Sequence, residues 1–174
     1  MKCPQQRTQW LGIGLALVLG GAALWPTHAS ADELRLRHAH TFDRYEDGGY
    51  RRVGVAMLAL PGGQREPATL DLRGSLTGAQ GDGWFGMRVT LRYRFDDGST
   101  IEGRMEGRFR RSDMGEVSGP QEATGELTGG SGRFQGIQGR FTMAGAAGLS
   151  VLSPGVMAEV YGDLIGEYRL PTRP

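Results

Sequence analysis

The chain has 174 residues and sets 20 Lys and Arg against 19 Asp and Glu, so its formal charge of +1 excludes a polybasic nucleic-acid binder and an acidic tail. Its 30 glycines follow no three-residue period, which excludes a collagen-like rod, and an apolar content of 39% excludes a disordered chain. What remains is a globular, glycine-rich β-protein.

Lys2 and Arg7 form a positive n-region, the stretch from Trp10 to Leu24 is uncharged and mostly apolar, and Ala29-Ser30-Ala31 is a small-residue cleavage site. These are the three parts of a secretory signal peptide in order. Residues 1–31 are therefore set apart as a signal peptide, and residues 32–174 are read as a single β-barrel domain, periplasmic or secreted. Losing Lys2 and Arg7, with no acid beside them, takes the charge from +1 to −1. Lys2 is the only lysine and Cys3 the only cysteine, so the exported part has no disulfide, thiol nucleophile or Schiff-base lysine. No later segment is long enough to cross a bilayer as a helix.

Beyond Asp32 the pattern predicts eight strands, at about Glu33 to Thr41, Tyr50 to Leu60, Thr69 to Thr77, Trp84 to Phe95, Ser99 to Arg110, Glu122 to Thr128, Gly139 to Gly145 and Met157 to Leu170. Turn signals such as Asp47-Gly48-Gly49, Pro61-Gly62-Gly63, Gly81-Asp82-Gly83 and Asp97-Gly98 separate them. In the first strand Leu34, Leu36, His38 and His40 share a face. Two histidines two residues apart suit a metal or an acid/base pair, but a metal needs a third ligand, no second cluster exists, and Asp43 has the opposite parity. No metal and no cofactor is expected. The second strand places Val53, Val55, Met57 and Ala59 on one face and Ala56, Leu58 and Leu60 on the other, so both faces read as buried. Either a neighbouring subunit or the apolar segment 145–155 supplies the cover.

The fourth strand alternates Phe85, Met87, Val89, Leu91, Tyr93 and Phe95 with arginines and Thr90, and the fifth sets Ile101, Met105 and Phe109 against Glu102, Arg104, Glu106, Arg108 and Arg110. A three-residue loop Asp96-Asp97-Gly98, with Gly98 left-handed, keeps the two apolar faces together and sets Arg92 opposite Glu102 and Arg88 opposite Glu106. Tyr168 lies on the apolar face of the last strand, whereas Glu159, Tyr161 and Asp163 lie on the outer one. Eight successive antiparallel strands, each with one dry face, favour closure into a barrel because closure removes the edges.

Between the sixth and seventh strands runs Gly129-Gly130-Ser131-Gly132-Arg133-Phe134-Gln135-Gly136-Ile137-Gln138-Gly139. Its glycines permit positive φ and close approach, and Phe134 and Phe141 anchor its ends in the core. It is no phosphate loop: no Gly-Lys-Ser/Thr follows, and the third glycine of a dinucleotide fingerprint falls on Gln135. This segment resembles the glycine-rich stretch of the allene oxide cyclase and dirigent barrel superfamily and its bacterial relatives. The resemblance covers about twenty residues. It implies an eight-stranded antiparallel calycin-like barrel, often trimeric in the plant members, around an apolar cavity for a fatty-acid-derived or phenolic ligand. No catalytic residue carries over, and the family's cavity asparagine has no counterpart in a chain without asparagine.

The leading functional reading is an exported barrel that binds a small apolar or phenolic molecule, in a cavity lined by Tyr93, Met105, Phe109, Phe141 and Tyr168 with His40 near one mouth. Inward Gly103 and Gly107 are read as opening space, with strand curvature as the competing explanation. An isomerase or cyclase that positions a reactive substrate is the alternative, and a small outer-membrane barrel the third. The partners expected are a small apolar ligand and a second copy docked through the strand Val53 to Leu60, with no nucleic acid and no membrane span after cleavage.

Overall fold

A computed structural model describes residues 31–46, 49–60, 62–110, 119–148 and 159–171. The strands are β1 (Asp32–Glu46), β2 (Gly49–Ala59), β3 (Arg65–Gly81), β4 (Trp84–Phe95), β5 (Thr100–Arg110), β6 (Gly119–Ser131), β7 (Gln138–Gly148) and β8 (Glu159–Arg169). They pair in sequence order as a closed antiparallel barrel, and β8 returns to β1 with Tyr168 opposite Asp32. All eight expected strands are present. Residues 1–30 of the signal-peptide assignment, and residues 149–155 of the segment 145–155 read as a cover, lie outside the described residues.

Period-two alternation gives each strand one dry face, and the ring turns those faces inward. The core is built from Leu34 and Leu36 of β1, Leu70 and Leu72 of β3, Val89, Leu91 and Tyr93 of β4, Ile101 and Phe109 of β5, and Leu164 of β8. Outside, cross-strand ion pairs run over three strands: Arg88 to Glu106, Arg92 to Glu102, Arg104 to Glu126 and Arg108 to Glu122. The β4–β5 hairpin has the expected register, with Gly98 at φ 80°. Its loop is closed by the Phe95 amide donating to the Ser99 carbonyl and the Gly98 amide to the Phe95 carbonyl.

The glycine-rich segment closes one end, here called the upper end. After β6 the chain makes one 3-10 turn at Gly132–Phe134, with Gly132 and Gly136 at positive φ. It drops Phe134 and Ile137 into the barrel, where Phe134 packs against Phe95 at 5.0 Å between ring centres. Arg133 lies over both rings and pairs with Glu66 and Asp97. The anchoring role read for Phe134 and Phe141 is what the fold shows, with Phe141 also buried.

The outward residues Val53, Val55 and Met57 of β2 stand exposed in the single chain while Ala56 and Leu58 point inward, so a cover for the outer face is not supplied by the described residues. One expectation is corrected: Gly107 opens no cavity. A Cβ there would fall 2.2 Å from the Glu122 carbonyl oxygen and 2.5 Å from the Ala123 Cβ. The Gly103 position is likewise filled, by the Glu126 carbonyl at 2.9 Å and the Leu91 and Phe141 side chains just beyond. Gly125, Gly139, Gly145 and Gly166 repeat the Gly107 geometry, each meeting a neighbouring strand's carbonyl within 2.4 Å. These inward glycines let adjacent strands coil closely round a narrow ring, so curvature is their role.

Candidate functional site

The lower half of the interior departs from the apolar pattern. His38 and His40 come from the middle of β1, Arg52 from the start of β2 and Gln121 from the start of β6, and all four are at most 4% exposed. His38 stands opposite Ala56 on β2 and Gly162 on β8, and His40 opposite Gly54 and Val160. Gln121 belongs to the same cross-strand row as His38, reached through Gly145 and Gly162. The glycines are what make room for the imidazoles. A Cβ on Gly162 would lie 2.8 Å from His38 Nε2, and one on Gly54 would lie 2.6 Å from the Cα and Cβ of His40.

The two rings sit 5.3 Å apart, tilted by 31°. Tyr93, fully buried on β4, brings its hydroxyl to 3.4 Å from His38 Nδ1. The Arg52 guanidinium lies 4.5 Å above the Tyr50 ring. Burial lowers the pKa of His38 to about 4, the Arg52 charge adding to the effect and Asp163 on the outer wall opposing it. Burial, then Arg52, then His38 lower that of His40 to about 2. Burial pushes the Tyr93 phenol well above its usual value. Both imidazoles are therefore neutral at physiological pH, each offering one N–H donor and one acceptor nitrogen. His38 Nε2, His40 Nδ1 and both polar atoms of the Gln121 amide are buried without a hydrogen-bond partner. Such a set can take a hydroxyl or carbonyl group. Among the described residues no third His, Cys, Asp or Glu joins the pair to make a metal site.

Of the residues read as lining a cavity, His40, Tyr93, Met105, Phe109 and Phe141 all point into the barrel and are buried. Phe109, opposite Gln121, stacks on Phe85 at 5.9 Å in the lower half. Tyr168 does not join His40: it is partly buried at the upper rim, between Gly139 and Asp32. Parity would have found Arg52, which shares the face of Ala56 and Leu58. Gln121 lies one residue before the expected start of its strand. No protein-family model and no curated protein matches this sequence.

Proposed function

We propose that the protein is an exported barrel that binds a small, largely apolar molecule, whose hydroxyl or carbonyl group is held by His38, His40 and Gln121. One observation carries this reading: His38 Nε2, His40 Nδ1 and the Gln121 amide are buried without partners inside the lower half of the barrel. Each such group costs about 1–3 kcal/mol when left unsatisfied, so a concentration of them calls for an occupant. The apolar walls toward the middle of the barrel, Tyr93, Met105 and Phe141, suit the body of that molecule. The segment 129–139, with its resemblance to allene oxide cyclase and dirigent barrels, supports the same architecture. Export rests on the amino-terminal pattern, and N-terminal sequencing of protein recovered outside the cytoplasm is expected to read Asp-Glu-Leu-Arg.

The cyclase alternative has one specific observation in its favour, the Tyr93–His38 contact, which could place a phenol proton near a bound substrate. A membrane-spanning barrel has the opposite polarity, an apolar band outside, whereas here Arg–Glu pairs cover β4 to β6. The test is native mass spectrometry of protein purified from its own host without detergent, followed by titration with N-phenyl-1-naphthylamine as an apolar probe. A retained organic mass, or probe fluorescence that His40→Phe weakens, is the expected result. A bare polypeptide mass together with no probe binding would overturn the reading and leave ordered water as the partner of these groups.

A further inference from the structure

The two ring nitrogens of His38 face different surroundings. Nδ1 has the Tyr93 hydroxyl 3.4 Å away, and Nε2 is buried without a partner. A neutral imidazole carries a single N–H, so the bond made at one nitrogen decides whether the other is a donor or an acceptor. There are two arrangements. With the proton on Nδ1, that N–H donates to the phenol oxygen, the Tyr93 O–H has no acceptor and Nε2 is an orphaned acceptor. With the phenol donating to Nδ1, both of those groups are satisfied and only Nε2–H is left over. Tyr93 is fully buried, and His38 is its one hydrogen-bond partner among the described residues, so its proton has nowhere else to go. An additional unsatisfied buried donor disfavours the first arrangement by roughly tenfold or more.

The Nε2–H is also aimed. His38, Gly162, Gly145 and Gln121 form one cross-strand row over β1, β8, β7 and β6. A Cβ on Gly162 would lie 2.8 Å from His38 Nε2, so the ring leans along this row, over the first glycine and toward Gln121. The three atoms nearest a Cβ on Gly145 all belong to the backbone of Tyr161 and Gly162. The Gln121 amide, without a partner at either polar atom, can turn its oxygen or its nitrogen toward a group placed there. His38 has no such freedom while Tyr93 occupies Nδ1.

We propose that Tyr93 is a positioning residue that holds His38 as the Nε2–H tautomer, and that the site thereby selects molecules bringing a hydrogen-bond-accepting oxygen, such as a ketone, ester or ether, over those whose only polar group is a donor or that have none. This rests on the ligand-binding reading above and adds a polarity to it: an alcohol, too, meets His38 through its oxygen and not through its proton. Burial, which lowers the His38 pKa to about 4, keeps the ring neutral and the assignment valid throughout the neutral range.

Two-bond proton–nitrogen correlation spectra of the purified protein near neutral pH read the tautomer, since protonated and unprotonated ring nitrogens resonate far apart, and nuclear Overhauser contacts to the Tyr93 ring identify the His38 signals. The wild type is expected to show Nε2 protonated and Nδ1 bare, and Tyr93→Phe is expected to lose that bias and give averaged shifts. Selectivity is read with acetophenone and ethylbenzene, which differ in a carbonyl against a methylene, as competitors of N-phenyl-1-naphthylamine. The ratio of their affinities, in which their different hydration cancels between proteins, is expected to fall about tenfold in His38→Phe and in the same direction in Tyr93→Phe. Circular dichroism checks that the variants are folded. A proton on Nδ1 in the wild type, which needs no variant to fold, would overturn the proposal, as would a tautomer that Tyr93→Phe leaves unchanged or an affinity ratio that His38→Phe leaves unchanged. Naphthylamine binding that neither competitor displaces would overturn it as well. If the naphthylamine itself does not bind, it is the ligand reading that fails and takes the selectivity with it.

Discussion

Acidification from about pH 7.5 to about pH 5 is expected to destabilise the barrel through His38 and His40. In the unfolded chain each imidazole titrates near 6.5; in the barrel burial holds His38 down to about 4 and His40 to about 2. A group whose folded pKa is depressed in this way contributes its full stability above the unfolded pKa and loses it as the pH falls, because only the unfolded chain takes up the proton. Over the one and a half units below 6.5 the loss is about 2 kcal/mol for each histidine at 1.36 kcal/mol per unit, hence about 4 kcal/mol for the pair. For a domain of this size that lowers Tm by roughly 10 °C. The charged groups nearest the rings do not titrate in this window. Arg52 remains a cation, and the Arg37 hydrogen bond holds the Asp163 carboxyl below the usual range. Asp71, bonded by Arg51, and Asp97, bonded by the Ser99 amide, are held low as well, so their contributions fade only in stronger acid. Thermal unfolding followed by circular dichroism across the range, for the wild type and for the double variant His38→Gln/His40→Gln, measures the slope. A wild-type slope no steeper than that of the double variant would refute the reasoning.

The inward glycines make a second measurement: Gly107→Ala forces a Cβ to within 2.2 Å of the Glu122 carbonyl and is expected to cost about 1–3 kcal/mol in denaturant unfolding, whereas a cavity there would have made it neutral or stabilising. Phe134→Ala removes the ring that plugs the upper end against Phe95 and Arg133, and a loss of about 3–5 kcal/mol is expected in the same assay. A double-mutant cycle on Arg92 and Glu102, whose side chains are 57% and 40% exposed, is expected to return a coupling of only a few tenths of a kcal/mol that falls further in high salt.

Strands with strict alternation were legible residue by residue: β4 runs from Trp84 to Phe95 as its pattern requires, and the Asp96-Asp97-Gly98 loop follows from keeping Phe95 and Ile101 on one face. The flanks of β3 were not, because Arg65, Glu66 and Pro67 at one end and Gly78, Ala79 and Gln80 at the other have no hydrophobic signature, and they extend only because β2 and β4 pair with them. Gln121 was hidden for the same reason, in a stretch of β6 defined by Phe109 and Gly145 on either side. Parity brought both histidines inward correctly, yet a rule that sends polar side chains outward passes over Arg52. Gly107 marks the deepest limit, since a missing side chain reads alike whether it leaves space or lets another strand fill it. The distance to Glu122 separates the two cases, and a one-dimensional pattern contains no such distance.

Because Asp32 lies opposite Tyr168, the ends of the folded ring are neighbours, and the seam between β1 and β8 is bonded like every other pair of strands. The barrel thus has no first strand in any energetic sense. Joining Arg169 to Asp32 through a short linker and opening the chain at the Asp82-Gly83 turn would give a permuted polypeptide with every cross-strand partner conserved. What changes is the order of assembly. In the natural order the seam pairs residues more than a hundred apart in sequence and carries the largest loop-closure entropy, so permutation moves that late event to the pairing of β3 with β4 and leaves the finished ring as it was.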